Sequence, residues 1–248
     1  MDIFERAEQN LDRHLRRNSY PGRGLIVGRA GSADAWVQVY WIMGRSTHSR
    51  NRRFVVDGST LRTEPVDISM VKDPSLIIYE AMLELPDVYL VTNGDQTRTI
   101  YRALHVGGTF EDALLTRERE PDPPNYTPRI SAMLDLRAQT AQIALNILKA
   151  NKANPELTDH TTWRPAPPPA GLGYCITTYM GDGSPLPSFD VDPLLMPLQG
   201  GAEEILSTCW DALDVDNRIS LAVKWITNGE LSRLKVSELT IRNRFGDA

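Results

Sequence analysis

The densest cluster of side chains able to do chemistry lies in "RSTHSRNRR", residues 45 to 53. There Arg45, Arg50, Arg52 and Arg53 alternate with hydroxyls and an amide, and no acid interrupts them. Guanidinium, hydroxyl and amide donors together are the set that surrounds phosphate oxygens, and a planar guanidinium can hold two such oxygens at once. A solvated loop is the competing explanation, although solvated charge runs usually mix both signs. The background makes the cluster stand out, because the 248-residue chain carries 32 acidic and 27 basic residues and a net charge of -5. Nucleic-acid binders generally need a basic surplus to displace counterions, so nucleic acid is not an expected partner and any anion site must be local.

Other candidate chemistry is weaker. Gly22, Gly24 and Gly28 in "GRGLIVG" imitate a dinucleotide loop, but the last spacing is one residue too long and a strand follows instead of a helix. His14, His48, His105 and His160 are scattered without metal-ligand spacing, and "GDGSP" at 181 to 185 lacks the further oxygens of a calcium loop. No metal site is therefore expected. Cys175 and Cys209 lie far apart without a CxxC, which points to no disulfide framework and to a reducing compartment, the cytoplasm. A small buried thiol is the simpler reading of Cys175, an internal nucleophile the other, and Cys209 beside Trp210 reads as core.

The elements that must position these residues follow from periodicity. Residues 2 to 16 place Ile3, Phe4, Ala7, Leu11 and Leu15 on one helical face, and "YPGRG" ends that helix. "LIVGRA" (25 to 30), "AWVQVYWIM" (35 to 43) and "RFVVD" (53 to 57) read as successive strands of one antiparallel sheet. "SLIIYEAML" (75 to 83) is ambiguous between strand and helix, and "DVYLVTNG" (87 to 94) is a strand ending in a turn signal. Two helices are expected in "DQTRTIYRALHVG" and "TFEDALLTRERE", then strands at 129 to 136, 141 to 149 and 173 to 181. A helix over 200 to 213 and strands over 218 to 226 and 237 to 245 close the chain, with proline-rich connections at 120 to 129 and 164 to 173. This order predicts one α+β domain over residues 1 to 248, with two antiparallel sheets and outer helices. An acidic start without an apolar region, and no apolar run of membrane-spanning length, predict neither a signal peptide nor a membrane segment.

Five short blocks in chain order, "YPGRGLIVGR", "GRSTHSRNR", "TNGDQTRTI", "NYTPRI" and "ITTY", resemble the archaeal-type IMP cyclohydrolase family. The similar segments run from residue 20 to about residue 180 and are separated by divergent stretches. The resemblance implies a four-layer αββα sandwich like that of the N-terminal nucleophile hydrolases. It also implies closure of formamidoimidazole carboxamide ribotide (FAICAR) to IMP and water, without metal or cofactor. The start "MDIFER" offers no Cys, Ser or Thr, so an N-terminal nucleophile is not expected. The alternatives are a purine-nucleotide-binding protein without turnover, or an amide hydrolase of the same fold using Cys175. The partner expected is a small-molecule nucleotide, and a homo-oligomer is left open.

The resemblance implies roles residue by residue. Arg23 and Arg45 are the cations nearest the reacting amide and the phosphate, with Ser46, Asn51 and Arg52 as further phosphate contacts. Asn93 and Gly94 would approach ribose or base, against a plain β-turn as the alternative. Thr127 and Arg129 of "TPRI" would present a hydroxyl and a guanidinium, against an internal salt bridge of Arg129. Tyr79 would donate to the formyl oxygen and Glu120 would move a proton, with Asp122 as its rival. Two departures stand out: the family's Tyr-Asn-Cys reads Tyr79, Glu80, Ala81, and no block matches after "ITTY".

Overall fold

A computed structural model describes residues 2–71, 78–228 and 235–245. Its strands fall into two antiparallel sheets of six and seven. The first sheet holds β1 (Gly24–Arg29), β2 (Trp36–Met43), β10 (Leu172–Thr177), β11 (Leu194–Pro197), β12 (Arg218–Asn228) and β13 (Lys235–Asn243), in the order β11-β10-β1-β2-β12-β13. The second runs in chain order: β3 (Arg53–Asp57), β4 (Thr60–Glu64), β5 (Glu80–Leu85), β6 (Val88–Thr92), β7 (Arg129–Asp135), β8 (Gln142–Ala150) and β9 (Thr158–Trp163).

Alternation along the strands decides what each face covers. In β1, Leu25 and Val27 point toward the second sheet, whereas Ile26 points out under the helices. In β2, Tyr40 and Ile42 face the other sheet, and Val37, Val39, Trp41 and Met43 face outward. The outward face of the first sheet is covered by α1 (Ile3–Leu11), whose helical path widens over Asp12–Arg16, and by α5 (Ala202–Ala212). Helices α3 (Gln96–His105) and α4 (Phe110–Leu115) cover the second sheet through Ile100, Phe110 and Leu114. The layers are therefore helix, sheet, sheet, helix, an α+β sandwich as the segment order predicts. Polar ties also cross between the sheets. Lys224 is fully buried and reaches Glu84 at 2.7 Å, and Gln38 donates to the Tyr89 carbonyl at 3.1 Å. Burial pulls the Lys224 pKa down, and Glu84 opposes the shift.

Two expectations are corrected and one open reading is resolved. "RFVVD" does form a strand, but β3 belongs to the second sheet, because the chain crosses over after β2 through the arginine loop. That loop contains a short helix, α2 (Thr47–Arg50), capped by Ser46. In the ambiguous 75–83 segment, residues 80 to 83 form β5, and residues 75 to 77 lie outside the described part. Asn93-Gly94 does not turn a hairpin; it leads from β6 into α3.

Candidate functional site

At one end of the sandwich β1 and β7 begin while β2, β6 and β10 end, and a cavity of about 480 Å³ opens among the segments attached there. This size falls in the range of small-ligand sites. Its wall is built from Gly22 and Arg23 before β1, Met43 at the end of β2, Arg45, Ser46, Ser49 and Arg52 after it, Glu120, Asp122 and Thr127 before β7, and Tyr179 after β10.

The quoted sequence blocks are adjacent because they brace one another. "YPGRG" is laced to "TTY": Arg23 N–H donates to Thr178 Oγ1 (3.1 Å), Thr178 N–H to the Arg23 carbonyl (2.8 Å), and Tyr179 N–H to the Pro21 carbonyl (3.1 Å). Gly22 has φ +71°, and a Cβ there would stand 2.2 Å from Thr178 Oγ1, so only glycine permits this close lacing. "NGDQT" is likewise tied to "TPRI". The Asn93 amide donates to the Pro128 carbonyl (2.8 Å), and its oxygen accepts from Ile130 N–H (2.9 Å) and from Gln96 (2.9 Å). Arg23 joins the two halves, donating to the Asn93 carbonyl at 3.0 Å and pairing with Glu120 at 2.9 Å.

Both members of this ion pair are buried. Burial lifts the Glu120 carboxyl above its ordinary range, with Arg23 and Arg129 pulling it back. For Arg23, burial works against the charge, but Glu120 and the neighbouring tyrosines outweigh it and the guanidinium stays a cation. Beside the pair, Asp122 accepts from both the backbone N–H of Thr127 (2.6 Å) and its hydroxyl, and Thr127 Oγ1 lies 2.7 Å from the Tyr179 oxygen. Burial pushes the Tyr179 phenol up to about 12. Tyr179 stacks on Tyr20 at 6.0 Å, and Arg45 covers the other part of this wall, 4.8 Å from the Tyr20 ring centre.

Of the residues singled out from sequence, Arg23, Arg45, Ser46, Arg52, Glu120 and Thr127 line the cavity together. Arg45 pairs with Asp182 at the rim, and Arg52 is fixed by bonds to the Ser49 and Met43 carbonyls that use only part of its donor set. Asp122, the rival of Glu120, also lines the cavity, and the remaining candidates sit outside the wall. Asn51 exchanges 2.7 Å hydrogen bonds with the Asp67 backbone through both ends of its amide, which leaves it a structural clamp. Asn93 and Gly94 lie one layer behind Arg23, and a Cβ on Gly94 would come 2.5 Å from the Arg129 guanidinium and displace it. Arg129 is held by Asp95 and Gln96, each at 2.9 Å, so its internal salt bridge is realised. Tyr79 is buried between the sheets with its hydroxyl 2.7 Å from that of Tyr40. Within the arginine loop, Arg50 donates to the Gly44 carbonyl and Arg53 pairs with Glu64, so only half of the cationic run faces the cavity.

Sequence reasoning passed over Tyr20, Ser49, Asn125 and Tyr179 in this wall and weighed His48 only as a metal ligand. Tyr20 and Tyr179 open and close the quoted blocks "YPGRG" and "ITTY", and two aromatic residues at matching ends of paired blocks were the available signal. Cys175 faces the helix layer in the outward core, fully buried, and burial raises its thiol pKa, so it has neither access to the cavity nor thiolate character. Ala81 is packed between the sheets, so the departure from Tyr-Asn-Cys leaves the cavity wall untouched.

Comparison with known proteins agrees with this arrangement. A model of the family described as "IMP cyclohydrolase-like protein" matches residues 20–230, which takes in Arg23, the arginine loop, Glu120 and Tyr179 and extends past "ITTY" through β12. The IMP cyclohydrolase of Methanococcus maripaludis (strain C7) is 34% identical over 120 residues, 46% of this chain and 58% of that protein. That of Methanothrix thermoacetophila is 33% identical over 149 residues, 58% of this chain and 71% of that protein. The Methanocaldococcus jannaschii enzyme is 30% identical over 118 residues, 47% of this chain and 57% of its own length. The alignment thus spans little more than half of two of these relatives, while the family model covers the site and most of the sandwich. With its short blocks laced around one cavity and the family model running through all of them, the chain belongs to the IMP cyclohydrolase-like family.

Proposed function

We propose that the protein closes FAICAR to IMP and water, within a single domain and on a small-molecule nucleotide substrate. The observation that carries this reading is the buried Arg23–Glu120 pair set in a cavity whose wall also holds Arg45, Ser46 and Arg52. The reaction joins two groups of one molecule, so orientation supplies much of the acceleration and no covalent intermediate is needed. A carboxamide nitrogen attacks the formyl carbon and gives up one of its two protons as the formyl oxygen becomes a hydroxyl; the C–O bond then breaks, the formamido N–H supplies the second proton, and water leaves as the ring C=N bond forms.

Each demand has a residue to meet it. Arg45 and Arg52 bind the phosphate dianion, the most expensive group to desolvate without cations, while Ser46 caps α2 and gives its hydroxyl proton to Ser49. Arg23 donates to the oxygen that becomes anionic as the ring closes, from a position already fixed by Glu120 and the Asn93 carbonyl. Glu120 takes the proton from nitrogen and returns it to the departing oxygen; its raised pKa brings the carboxyl closer to neutral pH and so suits both steps. Tyr79, buried between the sheets with its hydroxyl against that of Tyr40, takes no direct part in these steps. The Asn51 and Arg129 side chains hold the framework in place.

The test is turnover by purified, chelator-treated protein given fresh FAICAR, with IMP followed by absorbance. Wild-type protein is expected to form IMP, and Glu120→Gln to lower kcat by about a hundredfold to ten-thousandfold. The activity of the wild type rises with pH through the elevated Glu120 pKa, above the ordinary value of 4.5, and this limb is lost in the variant. Wild-type protein that binds IMP without forming it would leave the nucleotide-binding reading in its place.

A further inference from the structure

The hydrogen bonds behind Tyr179 have a fixed direction. Asp122, as a carboxylate, only accepts, and it takes the Thr127 backbone N–H on one oxygen and the Thr127 hydroxyl proton on the other. A hydroxyl has a single proton, so the 2.7 Å contact between Thr127 Oγ1 and Tyr179 must run the other way, with the phenol donating to Thr127. The Tyr179 proton is thereby committed inward. What the phenol offers to the cavity is acceptor capacity alone.

This polarity extends to the neighbouring wall. Tyr179 feels both Arg23 and Glu120, and Glu120 is itself an acceptor when ionised. The wall therefore holds Arg45 and Arg52 as donors on the arginine loop, and Glu120 and Tyr179 as acceptors, with Arg23 already paired to Glu120 beside them. A phosphate dianion has no N–H or O–H to give and is excluded from those acceptors. An amide N–H is what they complement.

We propose that Tyr179 is a specificity-determining residue that accepts a hydrogen bond from the N–H of the substrate's reacting carboxamide, with Thr127 and Asp122 as positioning residues that keep it acceptor-only. The inference rests on the cyclohydrolase reading for the identity of that amide. Its consequence is a preference for purine nucleotides with a hydrogen on the ring nitrogen derived from the carboxamide. IMP carries that hydrogen. Purine riboside 5′-monophosphate presents a lone pair at the same place.

Asp122→Asn tests the direction without changing the shape. The Thr127 backbone N–H claims the amide oxygen, so the amide nitrogen must donate to Thr127 Oγ1. Thr127 then donates to Tyr179, and the Tyr179 proton turns into the cavity. Binding of IMP and of purine riboside 5′-monophosphate is measured by titration calorimetry for wild type, Asp122→Asn, Thr127→Val and Thr127→Ser. The ratio of the two affinities is expected to shift by about tenfold toward purine riboside 5′-monophosphate in Asp122→Asn. It should fall toward unity in Thr127→Val, which frees the phenol, and hold in Thr127→Ser, which restores the hydroxyl. Loss of packing alone would weaken both ligands alike and leave the ratio unmoved. If Asp122→Asn fails to fold, the Thr127 pair carries the test. Wild-type protein that forms IMP, with a ratio unchanged in Asp122→Asn and Thr127→Val, overturns this inference alone. Wild-type protein that binds neither nucleotide overturns the cyclohydrolase reading and the inference with it.

Discussion

Gly22→Ala probes the lacing on which the site depends, and its cost can be worked out from two terms. The first is backbone strain: φ is +71°, and an L-residue in the left-handed region costs about 1–2 kcal/mol. The second is overlap, because the new methyl would lie 2.2 Å from Thr178 Oγ1 and 2.5 Å from Tyr179 Cδ2. Neither neighbour can retreat freely. Thr178 is bonded to Arg23 in both directions, and Tyr179 is held by the Tyr20 ring and by Thr127. Overpacking of this kind costs about 1–3 kcal/mol, so the total is about 2–5 kcal/mol. For a chain of this length that corresponds to a melting temperature lower by about 4–20 °C. Gly58→Ala is the matched control, since Gly58 also has positive φ (+59°) but nothing within 4 Å of the place its methyl would take. Scanning calorimetry on the two variants isolates the overlap as their difference, and IMP formation should fall in Gly22→Ala only. Equal melting temperatures for the two would refute the close approach of "YPGRG" to "TTY".

Three further outcomes follow from the geometry. Arg45→Ala should raise KM for the nucleotide by about tenfold or more, whereas Arg50→Ala, which removes a bond to the Gly44 carbonyl, should leave KM unchanged and lower stability by about 1 kcal/mol in denaturant titrations. Cys175→Ala should keep full turnover with a slightly lower melting temperature, since the thiol faces the outer core; lost turnover would revive the internal nucleophile. Asp95 is buried in part, which raises its pKa, but bonds from Arg117 and the charge of Arg129 outweigh burial and hold it below 3.8. Its stabilising contribution is therefore present above pH 3.8 and lost as pH falls through the depressed value, so acid titration of Asp95→Asn should show a flatter loss of stability than wild type.

The strands legible in sequence were those with strong alternation or full burial, such as β2 and β8. The three passed over explain themselves. β4 ("TLRTE") and β9 ("TDHTTW") are polar, with β9 at the sheet edge, and β11 ("LLMP") is a four-residue edge strand ending in proline. Membership of a sheet was not legible for β3, because an amphipathic strand does not encode which partner covers its apolar face. In the site, charge marked the loop that carries Arg45, and Arg23 and Glu120 came from the family resemblance, while the direction of the Tyr179–Thr127–Asp122 chain depends on a fold that brings residues five and fifty-two positions apart together. Asn51 and Arg129 have the composition of ligand contacts and are consumed by backbone and carboxylate partners instead.

The order of strands also sets a hierarchy of opening. Arg23 enters β1, which is hydrogen-bonded along both edges by β10 and β2, and the Asn93–Ile130 clamp sits where β6 meets β7 in the interior of the other sheet. Amides of the border strands β3, β9, β11 and β13 should exchange with solvent deuterium through local fraying. Those of β1, β6 and β7 should exchange only when the whole sandwich comes apart. The cavity is thus anchored to the slowest-exchanging part of the molecule, and partial denaturation that strips the borders should leave it assembled.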